Sequence, residues 1–406
     1  MISKIKGYFY SPSGLMTIAN IIVAASNYAL LLFILQLQNP QLFSQWQALT
    51  SFIGLILSVV GGLGSYISKS VAQLESVQQK YEFQALWKAR FKKWLLPLLI
   101  LLIFISCISL LSLRITDIYT AILIGSFLVA EMFFYFNYHF LLGQELGKSS
   151  AITLLIYNSV RVIASIIGIL LIPQSIWLPI GFICAIIAAY LYSQHIISHQ
   201  FKGQHINREF ILKKIESSEF KSIFTTSLGL FILALILNGF IIGFYSNNVS
   251  EERIKWSIYV FIGSLIHFAV AATLSLFIVQ SSKHKSATRA INLALVMGGL
   301  SLGASLIIGL IWKWIAFLHH NNASVELWWW FGVMISLYNM LYILFQYIIG
   351  IKSYILIQKL SIFIIVGMII WYFTALSTSI ISTIYSMIFL IVSLIATITY
   401  SITKRI

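Results

Sequence analysis

The 406 residues are 60% hydrophobic and 9% charged, with a mean hydropathy of +0.94 and a formal net charge of +15. Soluble domains carry about a quarter charged residues, so a soluble globular protein is excluded. Apolar runs of about 20 residues recur throughout and leave no room for a folded soluble domain between them. The basic residues sit in short clusters between apolar runs, which is positive-inside patterning rather than a nucleic-acid surface, and no nucleic-acid partner is expected. Cys107 and Cys184 both fall inside apolar runs with no CxxC or Cys/His grouping, so neither a disulfide nor a metal site is expected.

Twelve membrane spans are predicted in chain order. The segment before the first span has Lys4 and Lys6 but no small-residue cleavage site, so this span is expected to stay as an uncleaved start-transfer helix. The N-terminal six run Leu15 to Leu37, Ala48 to Ser68, Trp94 to Leu113, Ile118 to Leu142, Ser150 to Ile172 and Ile176 to Ile197. The C-terminal six run Ile223 to Tyr245, Trp256 to Gln280, Ala290 to Leu318, Leu327 to Gly350, Tyr354 to Leu376 and Ile380 to Ile402. Pro97 and Pro179 fall in spans, where proline kinks are common.

An even number of spans puts both termini on one side. With the termini inside, 21 basic residues collect on the inner segments, against Arg114, Arg253 and Lys255 outside. A misplaced span would scramble this bias, so both termini are expected to be cytoplasmic. The stretch Val71 to Lys93 reads as a basic amphipathic extension lying at the cytoplasmic surface. Residues 198–222 are the most polar stretch and fall at the chain midpoint. The expected organisation is therefore a bundle over 1–197, a linker over 198–222 and a second bundle over 223–406. At an offset of 209, Asn39, Phe52, Ile53 and Gly54 match Asn248, Phe261, Ile262 and Gly263, as parallel six-helix repeats would.

Several spans carry a polar face. In the fifth, Asn158, Arg161, Ser165 and Gly168 follow helical spacing on an otherwise aliphatic surface. A central arginine costs roughly 3 kcal/mol on insertion scales, so this face must meet protein or a wet cavity rather than lipid. Asn27 in the first span and Asn238 in the seventh are further amides that need partners. The stripe Ser51, Gly54, Ser58, Gly61, Ser65 and Ser68 in the second span fits close helix packing better than a ligand path.

Glu131 is the acid deepest in a span. It and Arg161 each lie 11 residues from the cytoplasmic ends of consecutive spans, which predicts an ion pair whose role is either architectural or functional. His267 sits mid-span in the eighth helix, where a packing hydrogen bond is the commoner use. Lys313 in the ninth either snorkels outward beside Trp312 and Trp314 or joins the interior charges. Together Arg161, His267 and Lys313 against Glu131 give a cationic interior suited to an anionic substrate. Trp328, Trp329 and Trp330 read as an interfacial girdle. No catalytic residues are expected: there is no acidic pair at a membrane face and no Walker lysine after a glycine loop.

The run TIANIIVAASNYALLLFILQLQNPQLFSQWQALTSFIGLILSVVGGLGSYISKSVAQ, with Asn39, Pro40, Phe43, Trp46, Gly61, Gly62 and Gly64, resembles the opening of the polysaccharide and O-antigen flippases. These belong to the multidrug/oligosaccharidyl-lipid/polysaccharide (MOP) exporter superfamily. Twelve spans, a central linker and cytoplasmic termini extend the resemblance over the whole chain. It implies an all-α, MATE-like fold of two six-helix bundles alternating between inward and outward openings in the bacterial inner membrane. The implied substrate is an undecaprenyl-pyrophosphate-linked oligosaccharide, with Arg161, His267, Lys313, Asn27, Asn158 and Asn238 as candidate binding residues. A polysaccharide polymerase and a chain-length regulator are implied partners. No cofactor is expected beyond a coupling ion, H+ or Na+. Members often carry acids near the end of the second helix, where this chain has Val59 and Val60, so the ion site is left unassigned. The fourteen-helix peptidoglycan-precursor branch fits twelve spans less well.

Two other readings remain open on the residues alone. A membrane polysaccharide polymerase or glycosyltransferase would need a sizeable outer loop, and the outer loops here are short. A drug or ion exporter of the same superfamily would favour acids in the N-terminal half, where Glu131 alone qualifies.

Overall fold

The computed structural model describes residues 12–37, 40–112, 118–202, 219, 221, 223–231, 234–235, 258–259, 262–267, 270, 287–311, 325–350 and 391–393. Every regular element among them is an α-helix. Eight long helices are α1 (Pro12–Gln36), α2 (Pro40–Ala72), α3 (Val77–Ser112), α4 (Ile118–Gly143), α5 (Gly147–Leu171), α6 (Trp177–Gln200), α7 (Ala287–Leu310) and α8 (Val325–Gly350). Six of them, α2 and α4 to α8, are long and apolar enough to cross a membrane, which makes this a multi-pass membrane protein. The expected eleventh span and nearly all of the twelfth lie outside the described residues, as does most of the expected linker.

The chain divides into two compact units, Met1–Ser227 and Leu228–Ile406. In the first, α4 is central: α2 and α3 pack on it, α6 lies against it, α5 packs on α6, and α1 on α5. In the second, α7 and α8 pack along each other.

The helix starts follow local chemistry. Pro40 opens α2, where a missing N–H costs nothing, and Phe43 and Trp46 are buried in its first turns. Pro179 was expected to be able to kink the sixth span; instead it is the third residue of α6, within the first turn, where a helix needs no amide donor from it.

Most of the stretch Val71 to Lys93 is helical and continuous with the spans on either side: Val71 and Ala72 close α2. Residues 77–93 are the start of α3, a helix of 36 residues and so about 54 Å long, well beyond the ~30 Å hydrocarbon core. Its aromatic face explains the extra length: Trp87 and Phe91 are buried with Phe136 and Phe140 of α4, and Phe91 meets Phe136 edge-on with centroids 5.6 Å apart. Burying that aromatic face against α4 keeps these residues helical. Arg90 lies over the Trp87 ring at 5.0 Å and pairs with Glu219 at 3.8 Å, and the Tyr66 hydroxyl donates to the same carboxylate at 3.1 Å. Glu219, within the expected linker, is thereby tied to α2 and α3.

Small residues let the helices approach. A Cβ on Gly62 would meet the Ser227 backbone, and one on Gly64 would meet the His139 ring, which Ser68 Oγ contacts at 3.0 Å. The end of the second span is thus a packing surface on which two glycines, beside the serine stripe, set the distance.

The α4–α5 turn sets the register of the site described below. Leu146 N–H donates to Leu141 C=O and Glu145 N–H to Leu142 C=O, which is a Schellman closure with Leu146 and Leu141 both at the apolar cluster. Glu145 takes the left-handed position at φ 61°, where glycine is the usual residue. Glu145→Gly is expected to raise stability by about 1 kcal/mol through relief of that conformation. Thermal unfolding of the purified protein checks this, and a lowered midpoint would contradict it.

The three tryptophans Trp328 to Trp330 serve different surfaces. Trp328 is fully buried and its indole N–H donates to Ser305 C=O at 2.9 Å, while Trp329 covers Gly309 and Trp330 remains exposed. One face of α8 carries Trp328, so helical rotation puts its side chain into the α7 contact while Trp330 points outward.

Candidate substrate site

The tight α4–α5 turn makes these helices antiparallel, so residues equally far from it come to one depth. Glu131 is fully buried on α4, and its Oε1 accepts from the Tyr157 hydroxyl of α5 at 2.9 Å. Arg161, one helical turn beyond Tyr157, is half-buried. Its Nη2 donates to Asn158 Oδ1 at 3.0 Å, and its Cζ lies 4.8 Å from the centre of the Phe182 ring of α6. The expected direct ion pair is not formed: among the described residues the Glu131 carboxylate meets Tyr157 and the Arg161 guanidinium meets Asn158 and Phe182. The two charges stay within electrostatic reach of each other and of Tyr157. The physical reason is rotation. On α5 it is Tyr157 that lies against Glu131, whereas Arg161 turns toward Asn158 and α6.

Aromatic packing fixes this cluster. Tyr157 stacks on Phe134 at 4.6 Å with the rings 5° from parallel, and Phe182 packs on Phe127 at 4.7 Å. Arg161 is therefore held by a cation–π contact and a neutral amide, neither of which neutralises its charge. Three buried polar atoms here lack a hydrogen-bond partner among the described residues: Arg161 Nε, Asn158 Nδ2 and Glu131 Oε2. In an apolar setting each such atom costs about 1–3 kcal/mol. Two free donors beside a cation with no direct carboxylate partner among the described residues are what an anionic, oxygen-rich group would meet.

The stripe on α5 divides in two. Asn158 and Arg161 form the polar pair, whereas Ser165 and Gly168 serve the α5–α6 crossing. A Cβ on Gly168 would enter the Trp177 ring, and one on Gly181 would meet Ser165 Oγ and the Arg161 carbonyl. Asn27 is half-buried on α1, the helix that packs on α5, and its Oδ1 has no partner among the described residues.

His267 belongs to the second unit. Its Nδ1 meets Asn339 Oδ1 at 2.8 Å, Asn339 Nδ2 donates to Ser301 Oγ at 2.8 Å, and Tyr338 and Tyr342 flank the ring edge-on. That arrangement matches the packing use of an intramembrane histidine. Lys313 and Asn238 lie outside the described residues. Among the described residues no group of three or more His, Cys, Asp or Glu is placed to hold a metal ion.

Two residues of the cluster escaped the sequence reading, Tyr157 and Phe182. Tyr157 carried a signal, since it precedes Arg161 by four residues and so shares its face. Phe182 carried none, because one aromatic among many in an apolar span is not distinguished by spacing.

No family model matches the sequence, and no curated protein matches it significantly. Solved structures do. The chain is similar to the outward-facing conformation of a multidrug resistance MATE family transporter of the MOP superfamily, at 13% identity and a TM-score of 0.73, over 97% of this chain and 96% of that one. The chain has the MATE fold. A MATE structure in the straight conformation gives a TM-score of 0.71 at 13% identity, with 97% of each chain covered. An inward-facing MATE family transporter of the MOP superfamily gives 0.63 at 15% identity, over 97% of this chain and 94% of that one. Identities this low speak to the MATE fold alone, so function is argued from the site.

Proposed function

We propose that this protein is a flippase that moves undecaprenyl-pyrophosphate-linked oligosaccharide repeat units across the bacterial inner membrane by alternating access. The observation that carries this reading is Arg161: a permanent cation at the middle of an apolar helix, held by Asn158 and Phe182 with donors to spare and no direct carboxylate partner among the described residues. A pyrophosphate supplies the missing negative charge and acceptors, and a guanidinium suits it through its forked geometry. The MATE fold supports a transporter rather than an enzyme, and relatives of that fold solved in outward- and inward-facing conformations support alternating access. In this reading the chain forms two six-helix bundles, 1–197 and 223–406, joined by a linker over 198–222, with both termini cytoplasmic. Asn27 and Asn158 add polar contacts in the first unit beside Arg161, and an H+ or Na+ gradient or substrate consumption outside drives the cycle.

The test is deletion of the gene followed by analysis of lipid-linked sugars. Complete repeat units trapped on the cytoplasmic leaflet are expected, and surface polymer of normal length and amount would overturn the proposal. The multidrug exporters among the structural neighbours favour a second reading, drug export, which a deletion strain sensitised to cationic drugs with intact surface polymer would support.

A further inference from the structure

The basic end of α3 holds a second cationic group, outside the substrate site. Lys88 and Lys92 are one helical turn apart, and Lys93 follows directly. Lys88 is half-buried and its Nζ donates to Gln194 Oε1 of α6 at 2.8 Å, a neutral partner that Asn137 Nδ2 also approaches at 3.5 Å. Burial pushes the Lys88 ammonium below its usual range, and repulsion from Lys92 adds to the effect. Arg90 on the same helix is paired with Glu219, whereas among the described residues none of these three lysines has a carboxylate within 4.0 Å. Like charges held this way raise each other's energy, and an anion between them relieves the repulsion.

The position along α3 says what kind of anion. Residues 84, 86, 87 and 91 are buried in protein, and then the helix emerges: Lys92 and Lys93 are exposed, Trp94 is 54% exposed and Leu96 63%. The exposed face stays apolar through Ile100, Leu101 and Phe104. A lysine pair directly followed by an exposed tryptophan and a leucine-rich face is the ordering of a membrane boundary, with cations at headgroup level and the indole in the interfacial belt. A soluble anion would meet the lysines but gain nothing from Trp94 and Leu96.

We infer that Lys88, Lys92, Lys93 and Trp94 form a binding site for an anionic phospholipid, its phosphodiester between the lysines and its acyl chains along the exposed face of α3 beyond Trp94. Since Lys88 is anchored to Gln194, a bound lipid fastens α3 to α6 at this end.

Native mass spectrometry of the full-length protein, titrated with dioleoylphosphatidylglycerol or dioleoylphosphatidylcholine, tests the site. Wild-type protein retains phosphatidylglycerol in preference to phosphatidylcholine. The Lys92→Gln/Lys93→Gln double variant weakens that retention by about 25-fold, from roughly fivefold per lysine at a charged headgroup surface. Lys148→Gln, an exposed lysine at the start of α5, leaves it unchanged. Equal retention of both lipids, unchanged retention in the double variant, or an equal loss in Lys148→Gln would overturn the inference. Competition by glycerol phosphate as effective as by the whole lipid would also overturn it, since the site would then be one for a soluble anion.

Discussion

Arg161→Ala is expected to reduce transport of lipid-linked repeat units by on the order of a hundredfold while the protein still reaches the membrane in normal amount. The magnitude follows from removing one fully engaged cation from a desolvated anion contact, about 3 kcal/mol or more. Truncation also deletes the guanidinium from above Phe182 and leaves Asn158 Oδ1 without its donor. Arg161→Lys keeps the charge but loses the planar fork and the stacking geometry, so partial transport should remain. The readout is the distribution of repeat units between leaflets, with immunoblotting of membranes to separate inactivity from misfolding. Wild-type transport by Arg161→Ala would end the binding role and leave the α5 polar face as packing.

A double-mutant cycle on Glu131 and Tyr157 gives the second large effect. Tyr157→Phe removes the hydroxyl that donates to a fully buried carboxylate, and a stability loss of about 1.5–3 kcal/mol is expected. Glu131→Leu removes the acceptor and orphans the tyrosine hydroxyl, at a smaller cost because a neutral group is left. The two together replace a polar pair by an apolar one between Phe134 and Phe182, so the double variant should recover most of the lost stability. Additive losses in thermal unfolding would contradict the pairing. Transport then separates the two roles. A stable double variant that transports shows the pair to be architecture, whereas a stable one that does not assigns Glu131 a part in the cycle.

How far the site was legible can be followed through these residues. Arg161 and Glu131 stand out in any reading, since ionisable groups inside apolar runs are rare and costly. Their matching depth was also readable, because a short connection forces consecutive spans to be antiparallel. What depth leaves open is azimuth. At 100° per residue, Tyr157 and Arg161 are 40° apart on α5, enough for one to meet α4 while the other turns toward α6. Helix rotation is set by the whole packing surface, here by Gly168 and Gly181 at the α5–α6 crossing and by the stacked Phe134 and Tyr157 rings. A sequence read helix by helix does not contain that sum.

The same division holds for the fold. Hydrophobic length and charge asymmetry located α1, α2, α4 to α6, α8 and the start of α7 to within a few residues at the helix ends that fall inside apolar runs, because lipid demands that every spanning backbone be helical. The ends that differ are those of α2 and α3, where helix continues beyond the apolar run, and that of α7, which closes at Leu310 where the span was expected to reach Leu318. Residues 40–47 and 77–93 are polar enough to read as loop or surface segment, yet Trp46, Trp87 and Phe91 bury against neighbouring helices and keep the backbone helical. By itself, then, the sequence determined that the chain is a membrane-spanning α-helical protein, where most of its spans lie, and that a charged helix face is turned inward, because each follows from the cost of exposing polar groups to lipid. The tertiary structure alone decided that Glu131 is bound by Tyr157, that Arg161 is left with donors to offer, and that the basic start of α3 is packed against protein up to Phe91 and exposed at Lys92, because those outcomes depend on which faces of separate helices meet.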